Sequence, residues 1–115
     1  MSRKDSLKKG TNNIEMILLS ILSEDVYYGY QLAQLVNEYS KSLLSIPEGS
    51  LYPALYRLLD NGYISDEKRQ IGKRLTRIYY YIEPSGREYF QTLLNEYNRL
   101  NEGIQNILYR KPDKK

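Results

Sequence analysis

Apolar positions along this chain fall into a helical rhythm, then an extended one, then a helical one again. Ile14, Ile17, Leu18, Ile21 and Leu22 recur at the i, i+3, i+4, i+7, i+8 spacing of one helix face. Thr11 to Asn13 stand before them with side chains suited to an N-cap. Met16 and Leu19 lie off that stripe, and apolar groups on two sides predict a helix packed between two partners. Ser23 to Tyr28 breaks the pattern. A second helix is predicted over about Gly29–Tyr39, with Leu32, Leu35, Val36 and Tyr39 on one face. Ser40 to Leu44 reads as a connector whose Leu43 and Leu44 drop into the core.

The stretch from Ser45 to Leu59 predicts a short helix with two dissimilar faces. Ser45 and Glu48 have the spacing of a capping box. Pro47 then sits in the first turn, where no intrahelical N–H bond is lost, whereas Pro53 lies deeper and should cost a bond or bend the helix near residue 49. On a 100° wheel Leu51, Leu55, Leu58 and Leu59 gather on one side. Gly49, Ser50, Pro53, Tyr56 and Arg57 take the other, with Tyr52 on the flank. Small, hydroxylated and aromatic groups with one Arg suit the edge of a DNA groove. An ordinary amphipathic helix with a few surface tyrosines fits the same residues, so the flanks must decide.

Asp60-Asn61-Gly62 should end that helix, with Gly62 in the left-handed position. Tyr63-Ile64-Ser65 begins an extended run. Arg77 to Ile82 is the clearest strand, β-branched or aromatic throughout after its Arg. Alternation puts Ile78, Tyr80 and Ile82 on one face and Arg77, Tyr79 and Tyr81 on the other. Residues 68–74 form the link between the strands. From Pro84, a favourable first-turn residue, Phe90, Leu93, Tyr97, Leu100, Ile104 and Ile107 are spaced +3, +4, +3, +4, +3. That is a heptad seam, widened by Tyr89, Leu94 and Leu108. The helix should fray before Pro112, giving a length of about 35–40 Å at 1.5 Å per residue. A three-helix head is too small to cover it. A second copy of the chain is the simplest partner; folding of the whole helix back onto the head is the alternative.

Composition narrows the chemistry. A chain of 115 residues is one small domain by prior expectation, with much to gain from dimerisation. It has no Cys and no His, which removes disulfides, thiol nucleophiles, imidazole bases and the usual zinc ligands. The acids are scattered apart from Glu24-Asp25 and Asp66-Glu67, and no glycine loop could cradle phosphate. No enzyme activity, cofactor or metal is therefore expected. No apolar run approaches the ~20 residues that span a bilayer, and no apolar signal core follows the polar first residues. A cytoplasmic protein without membrane partners is expected.

Net charge is only +3, but its distribution is uneven. Lys68, Arg69, Lys73, Arg74 and Arg77 lie between Lys68 and Ile82 with no acid among them. Thirteen tyrosines against one Phe and no Trp supply flat apolar area with a polar tip, useful at wet interfaces. Two short helices joined by a tight polar link make a helix-turn-helix candidate; with the helix before them and the basic hairpin after, they make a winged helix-turn-helix. A charge run is commonly just a solvated loop. Five cations beside a candidate reading helix favour a wing that touches phosphates. The expected fold is mainly α with a small β-hairpin (α+β), a winged helix-turn-helix plus a long C-terminal helix. Its parts are a flexible basic arm at residues 1–10, the DNA-binding domain at 11–83, the dimerisation helix at 84–110 and a disordered tail at 111–115.

Four stretches resemble the PadR family of bacterial transcriptional regulators. They are Tyr28-Gly29-Tyr30-Gln31-Leu32, Gly49 to Leu58, Asn61-Gly62-Tyr63-Ile64, and Lys73 to Tyr81 leading into Pro84-Ser85-Gly86-Arg87. Their order and spacing hold over nearly the whole chain, and the single last helix resembles the short subfamily. Glu83, a poorer N-cap, stands where the family usually has Thr. The tip Gly72-Lys73-Arg74-Leu75-Thr76 lacks the usual proline. The resemblance implies a homodimer that binds an inverted-repeat operator, usually as a repressor, and release by a small aromatic molecule in some members.

On this reading Ser50, Tyr52, Pro53, Tyr56 and Arg57 would meet DNA from the reading helix, and Lys73, Arg74 and Arg77 from the wing. Phe90, Leu93, Tyr97, Leu100, Ile104 and Ile107 would form the dimer interface. Drug-binding relatives stack a ligand on an aromatic of the last helix, and Tyr97 holds the matching position. Met16, Leu19, Phe90 and Leu93 would be walls of that effector site. Tyr97 filling the interface without any ligand is the competing account. A winged-helix module that binds protein in place of DNA is the other functional reading, since the fold serves both; the basic wing argues against it.

Overall fold

The computed structural model describes residues 5–6 and 12–113. Its elements are β1 (Asp5–Ser6), α1 (Asn12–Leu22), β2 (Tyr27–Tyr28), α2 (Gly29–Tyr39), β3 (Leu44–Ser45), α3 (Glu48–Asp60), β4 (Ile64–Ile71), β5 (Leu75–Ile82) and α4 (Pro84–Leu108). Of the basic arm only β1 is described, paired in parallel with β3; residues 1–4 and 7–10 lie outside the described residues. So do residues 114–115 of the tail, and Lys111 to Asp113 carry no regular structure.

The core fills from α1 outward. Ile14, Leu18, Leu19 and Leu22 are fully buried, as are Leu32 of α2 and Leu51, Leu55 and Leu58 of α3. Helix α1 packs on α2, α3, α4 and β5, which explains why it is apolar on more than one side. The sheet has the order β2-β5-β4 and is antiparallel throughout. Its inner face carries Ile64 and Tyr80 into the core. Strand β2 is a third strand where the sequence showed only a broken pattern. Tyr27 and Tyr28 are good strand formers, but a two-residue strand is too short for alternation to register. Strand β4 continues to Ile71, so Lys68 and Arg69 belong to the ladder and the turn is only Gly72-Lys73-Arg74. Gly72, at φ 68°, supplies the left-handed residue in it.

Two local expectations are corrected. No Ser45–Glu48 capping box forms, because Ser45 is committed to β3 and the N-cap of α3 is Pro47. Pro47 carbonyl oxygen accepts from both Ser50 and Leu51 N–H at 2.9 Å. Leu44 packs against the core, whereas Leu43 is exposed. The chain turns there through Lys41 and Ser42, at φ 55° and 66°, and swings Leu43 outward. Pro53 is held inside an unbroken α3. The carbonyl it leaves without a donor belongs to exposed Gly49, where water can serve.

The end of α3 matches the sequence. Gly62 has φ 73°, with its N–H on Leu59 oxygen and Tyr63 N–H on Leu58 oxygen, both 3.0 Å, the bond pair of a Schellman cap. Helix α4 starts on that cap. Ser85 Oγ donates to Gly62 oxygen at 2.7 Å, and Glu83 N–H to Tyr63 oxygen at 3.0 Å. Glu83 gives no side-chain cap; its carboxylate accepts from Ser65 Oγ. A Cβ on Gly86 would come 2.0 Å from Tyr63 oxygen, so only glycine fits this crossing. From Asn95 to Leu108 every residue of α4 is exposed.

Candidate nucleic-acid interface

Helix α3 is sunk into the head by Leu51, Ala54, Leu55 and Leu58. What it leaves outside is Gly49 and Tyr56, with Pro53 half-buried between them, and the acids Glu48 and Asp60 at its two ends. Tyr52 turns toward α2, and its hydroxyl rests where a Cβ on Gly29 would stand 2.7 Å away. Helix α2 begins at Gly29, with Gln31 Oε1 accepting from Tyr28 N–H at 3.1 Å. A cleft of about 310 Å³ opens between these helices and the wing. Tyr30, Tyr52 and Tyr56 line it from the helices, and Thr76, Arg77 and Ile78 from β5. Below it Tyr80 is buried, and burial, with Tyr52, Tyr56 and Asp66 nearby, pushes its hydroxyl up to about 12. Lys73 and Arg74 are exposed at the wing turn. The concave side is therefore tyrosines flanked by cations, which suits a polyanion with flat groups inside it.

Two expected recognition residues make contacts with the head, Ser50 fully and Arg57 through one end of its guanidinium. Ser50 is buried. Arg57 Nε donates to Glu15 Oε2 at 3.1 Å. On the wheel both stand about 100–120° from Leu51, on a flank and not opposite the core. Helix α1 covers that flank. Glu15 is itself buried, and its other oxygen accepts from Tyr89 hydroxyl at 2.8 Å. Tyr89 in turn stacks on Tyr63, centroids 4.1 Å apart and planes 9° apart. Burial, then the Glu15 bond, pushes the Tyr89 hydroxyl up to about 12. One carboxylate thus ties α1, α3 and α4 together. The sequence hint was Glu15 interrupting an apolar helix, but nothing local paired it with residues 42 and 74 positions away.

The proposed effector residues divide as well. Met16, Leu93 and Tyr97 come together around a cleft of about 130 Å³ between α1 and α4, joined by Asn13, Glu96 and Leu100. Leu19 is sealed in the core and Phe90 packs against it, so neither lines that cleft. Of the seam, Leu93 is 5% exposed, whereas Tyr97, Leu100, Ile104 and Ile107 are 42, 64, 44 and 61% exposed. A concavity of about 600 Å³ along α2 has Glu38 and no cation among its described lining residues, and does not suit an anionic ligand.

Residues 18–92 match the model of the transcriptional regulator PadR-like family. The chain belongs to that family. A transcriptional regulator from Clostridium thermocellum is 31% identical, with a TM-score of 0.77 over 87% of this chain and 92% of that one. A PadR family transcription regulator from Clostridium difficile is 25% identical, with a TM-score of 0.71 over 83% and 97%. The PadR-like regulator of Bacillus cereus is 25% identical, with a TM-score of 0.72 over 87% and 95%. PadR-like proteins are DNA-binding transcription factors and not enzymes, so this chain is a DNA-binding regulator on an α+β winged-helix fold. Among the described residues no helix is long and apolar enough to cross a membrane.

Proposed function

We propose that the protein is a homodimeric repressor that binds an inverted-repeat operator and is released by a small aromatic compound. One observation carries the dimer: the seam continues for three more turns past the head, with Tyr97, Leu100, Ile104 and Ile107 uncovered. Apolar side chains at heptad spacing on a helix with no cover of its own need a partner surface, and an identical helix supplies one. Two copies then present two α3 helices to successive major grooves about 34 Å apart. Tyr52, Pro53 and Tyr56 meet base edges and sugars, and Lys73, Arg74 and Arg77 meet phosphates. Ser50 has no part in this reading, since the head buries it, whereas Arg57, tied to Glu15 through Nε and 38% exposed, keeps its other N–H groups for phosphate. A dimer lying across promoter DNA blocks polymerase.

A mobility shift on the DNA upstream of the gene, with competitor DNA present, tests the reading. A retarded band of two subunits per duplex is expected. A monomer by sedimentation at micromolar concentration, indifferent to every duplex at low salt, ends it. Replacing Lys73 and Arg74 together by Ala should lower the slope of log affinity on log salt by about 2 per subunit. An unchanged slope removes the wing from the contact.

For the effector, the 130 Å³ cleft is smaller than the ~300 Å³ at which ordinary ligand sites begin. A partner's last helix has to complete it. The ligand acts by binding one spacing of the two heads better than another. Titration of flat aromatic compounds against tyrosine fluorescence, in wild type and Tyr97→Ala, is the test; identical curves exclude Tyr97.

A further inference from the structure

Two arginines on the wing stand where they should repel. Arg69 and Arg77 are directly opposite each other across the β4–β5 ladder, and like charges in that relation destabilise a hairpin. Both lean away from the turn, toward the root of the wing, and each lies over a tyrosine ring. Arg77 Cζ is 4.3 Å from the centroid of Tyr28, and Arg69 Cζ is 4.5 Å from that of Tyr79. The two tyrosines are register partners on β2 and β5. They meet edge to face, with centroids 5.4 Å apart and planes at 76°. Arg77, Tyr28, Tyr79 and Arg69 therefore form one unbroken run across all three strands, with Glu67 Oε2 accepting from Arg69 Nε at 3.5 Å at its far end. The negative faces of the rings attract the guanidinium groups and offset their mutual repulsion. The run also joins the wing to Tyr28, the residue that caps α2. Lys73 and Arg74, at the turn, have no place in it.

We propose that Tyr28 and Tyr79 are positioning residues for DNA binding, whose rings fix the Arg77 and Arg69 guanidinium groups before a duplex arrives. Each guanidinium has five N–H donors, and stacking engages its face while leaving edge N–H groups for phosphate oxygens. Ordering a free arginine at an interface costs affinity, and here that ordering is already done. The inference rests on the wing touching phosphate, as proposed above, and adds that the wing's rings, as well as its charges, set the affinity.

A double-mutant cycle on duplex affinity tests it. Arg77→Lys keeps the charge but loses the planar stack. It should weaken binding about threefold to tenfold while retaining the salt slope. Arg77→Ala should weaken it at least as much and also lower the slope by about 1. Tyr28→Leu should match the loss of Arg77→Lys, Tyr28→Phe should restore affinity, and the double variant Tyr28→Leu/Arg77→Lys should lose no more than either alone. Tyr79→Leu with Arg69→Lys repeats the cycle away from the α2 cap, should Tyr28→Leu fail to fold. Wild-type affinity in Arg77→Lys, or losses that multiply in the double variants, overturns the inference and leaves DNA binding standing. A wild-type protein that binds no duplex overturns both.

Discussion

The two halves of α4 carry one apolar period and meet opposite surroundings. The first half is fixed to the head at three levels: Gly86 against the Tyr63 backbone, Tyr89 stacked on Tyr63 and bonded to Glu15, and Leu93 closed into the core. The second half repeats the spacing through Leu100, Ile104 and Ile107 in the open. The period tells which side of a helix is apolar. What covers that side depends on how far the neighbouring elements reach, and at 25 residues, about 37 Å, this helix outruns α1.

Breaking the first half at its tightest point should have the largest effect. Gly86→Ala drives a Cβ into a backbone carbonyl that cannot rotate away, and a loss of about 3 kcal/mol in denaturant unfolding is expected. Full stability in that variant would mean the crossing is looser than 2.0 Å implies. A matched pair of truncations comes next. Leu93→Ala should cost about 2–4 kcal/mol at any protein concentration. Leu100→Ala should cost a single subunit less than ~0.5 kcal/mol, but, if the proposed dimer forms, lower the melting temperature more as protein concentration falls toward its dissociation constant. Equal effects of the two, independent of concentration, would falsify the division of the helix.

An effect smaller than that of Leu93→Ala sharpens the comparison chemically. Tyr89→Phe keeps the stack on Tyr63 and removes the hydroxyl from Glu15, for a loss of about 1–2 kcal/mol near neutral pH. The sign of its pH dependence follows from a hydroxyl raised from 10.0 to about 12 in the folded chain. A raised value means the folded state holds the proton more tightly. This stability is complete below about pH 10 and is lost as pH climbs through about 12. Tyr80 contributes in the same window with the same sign. Alkaline titration of unfolding should therefore show a shallower decline in Tyr89→Phe than in wild type. An identical decline would remove Tyr89 from the linkage.

Much of the fold was legible because its signals are local and repeated. The helix α2, the Gly62 cap, the strand after Arg77 and the seam from Phe90 each rest on several residues that agree. What was misread rested on one or two residues. Ser45 and Glu48 have capping-box spacing, yet Ser45 was already taken by a two-residue strand. Leu43 is as apolar as Leu44, and only the left-handed turn at Lys41 and Ser42 separates their fates. Ser50 and Arg57 stand on the flank of α3, where a wheel cannot say whether solvent or another helix will be.

By itself the sequence determined the periods, the helix stops and the gathering of cations between Lys68 and Arg77, since these depend on neighbours within a few residues. Only the tertiary structure decided that Glu15 meets Arg57 and Tyr89, that Tyr28 and Tyr79 interleave with Arg77 and Arg69, and where the cover on α4 ends. Those pairings join positions far apart along the chain, and the packing of α1 and the sheet register, which bring them within reach, belong to the whole fold.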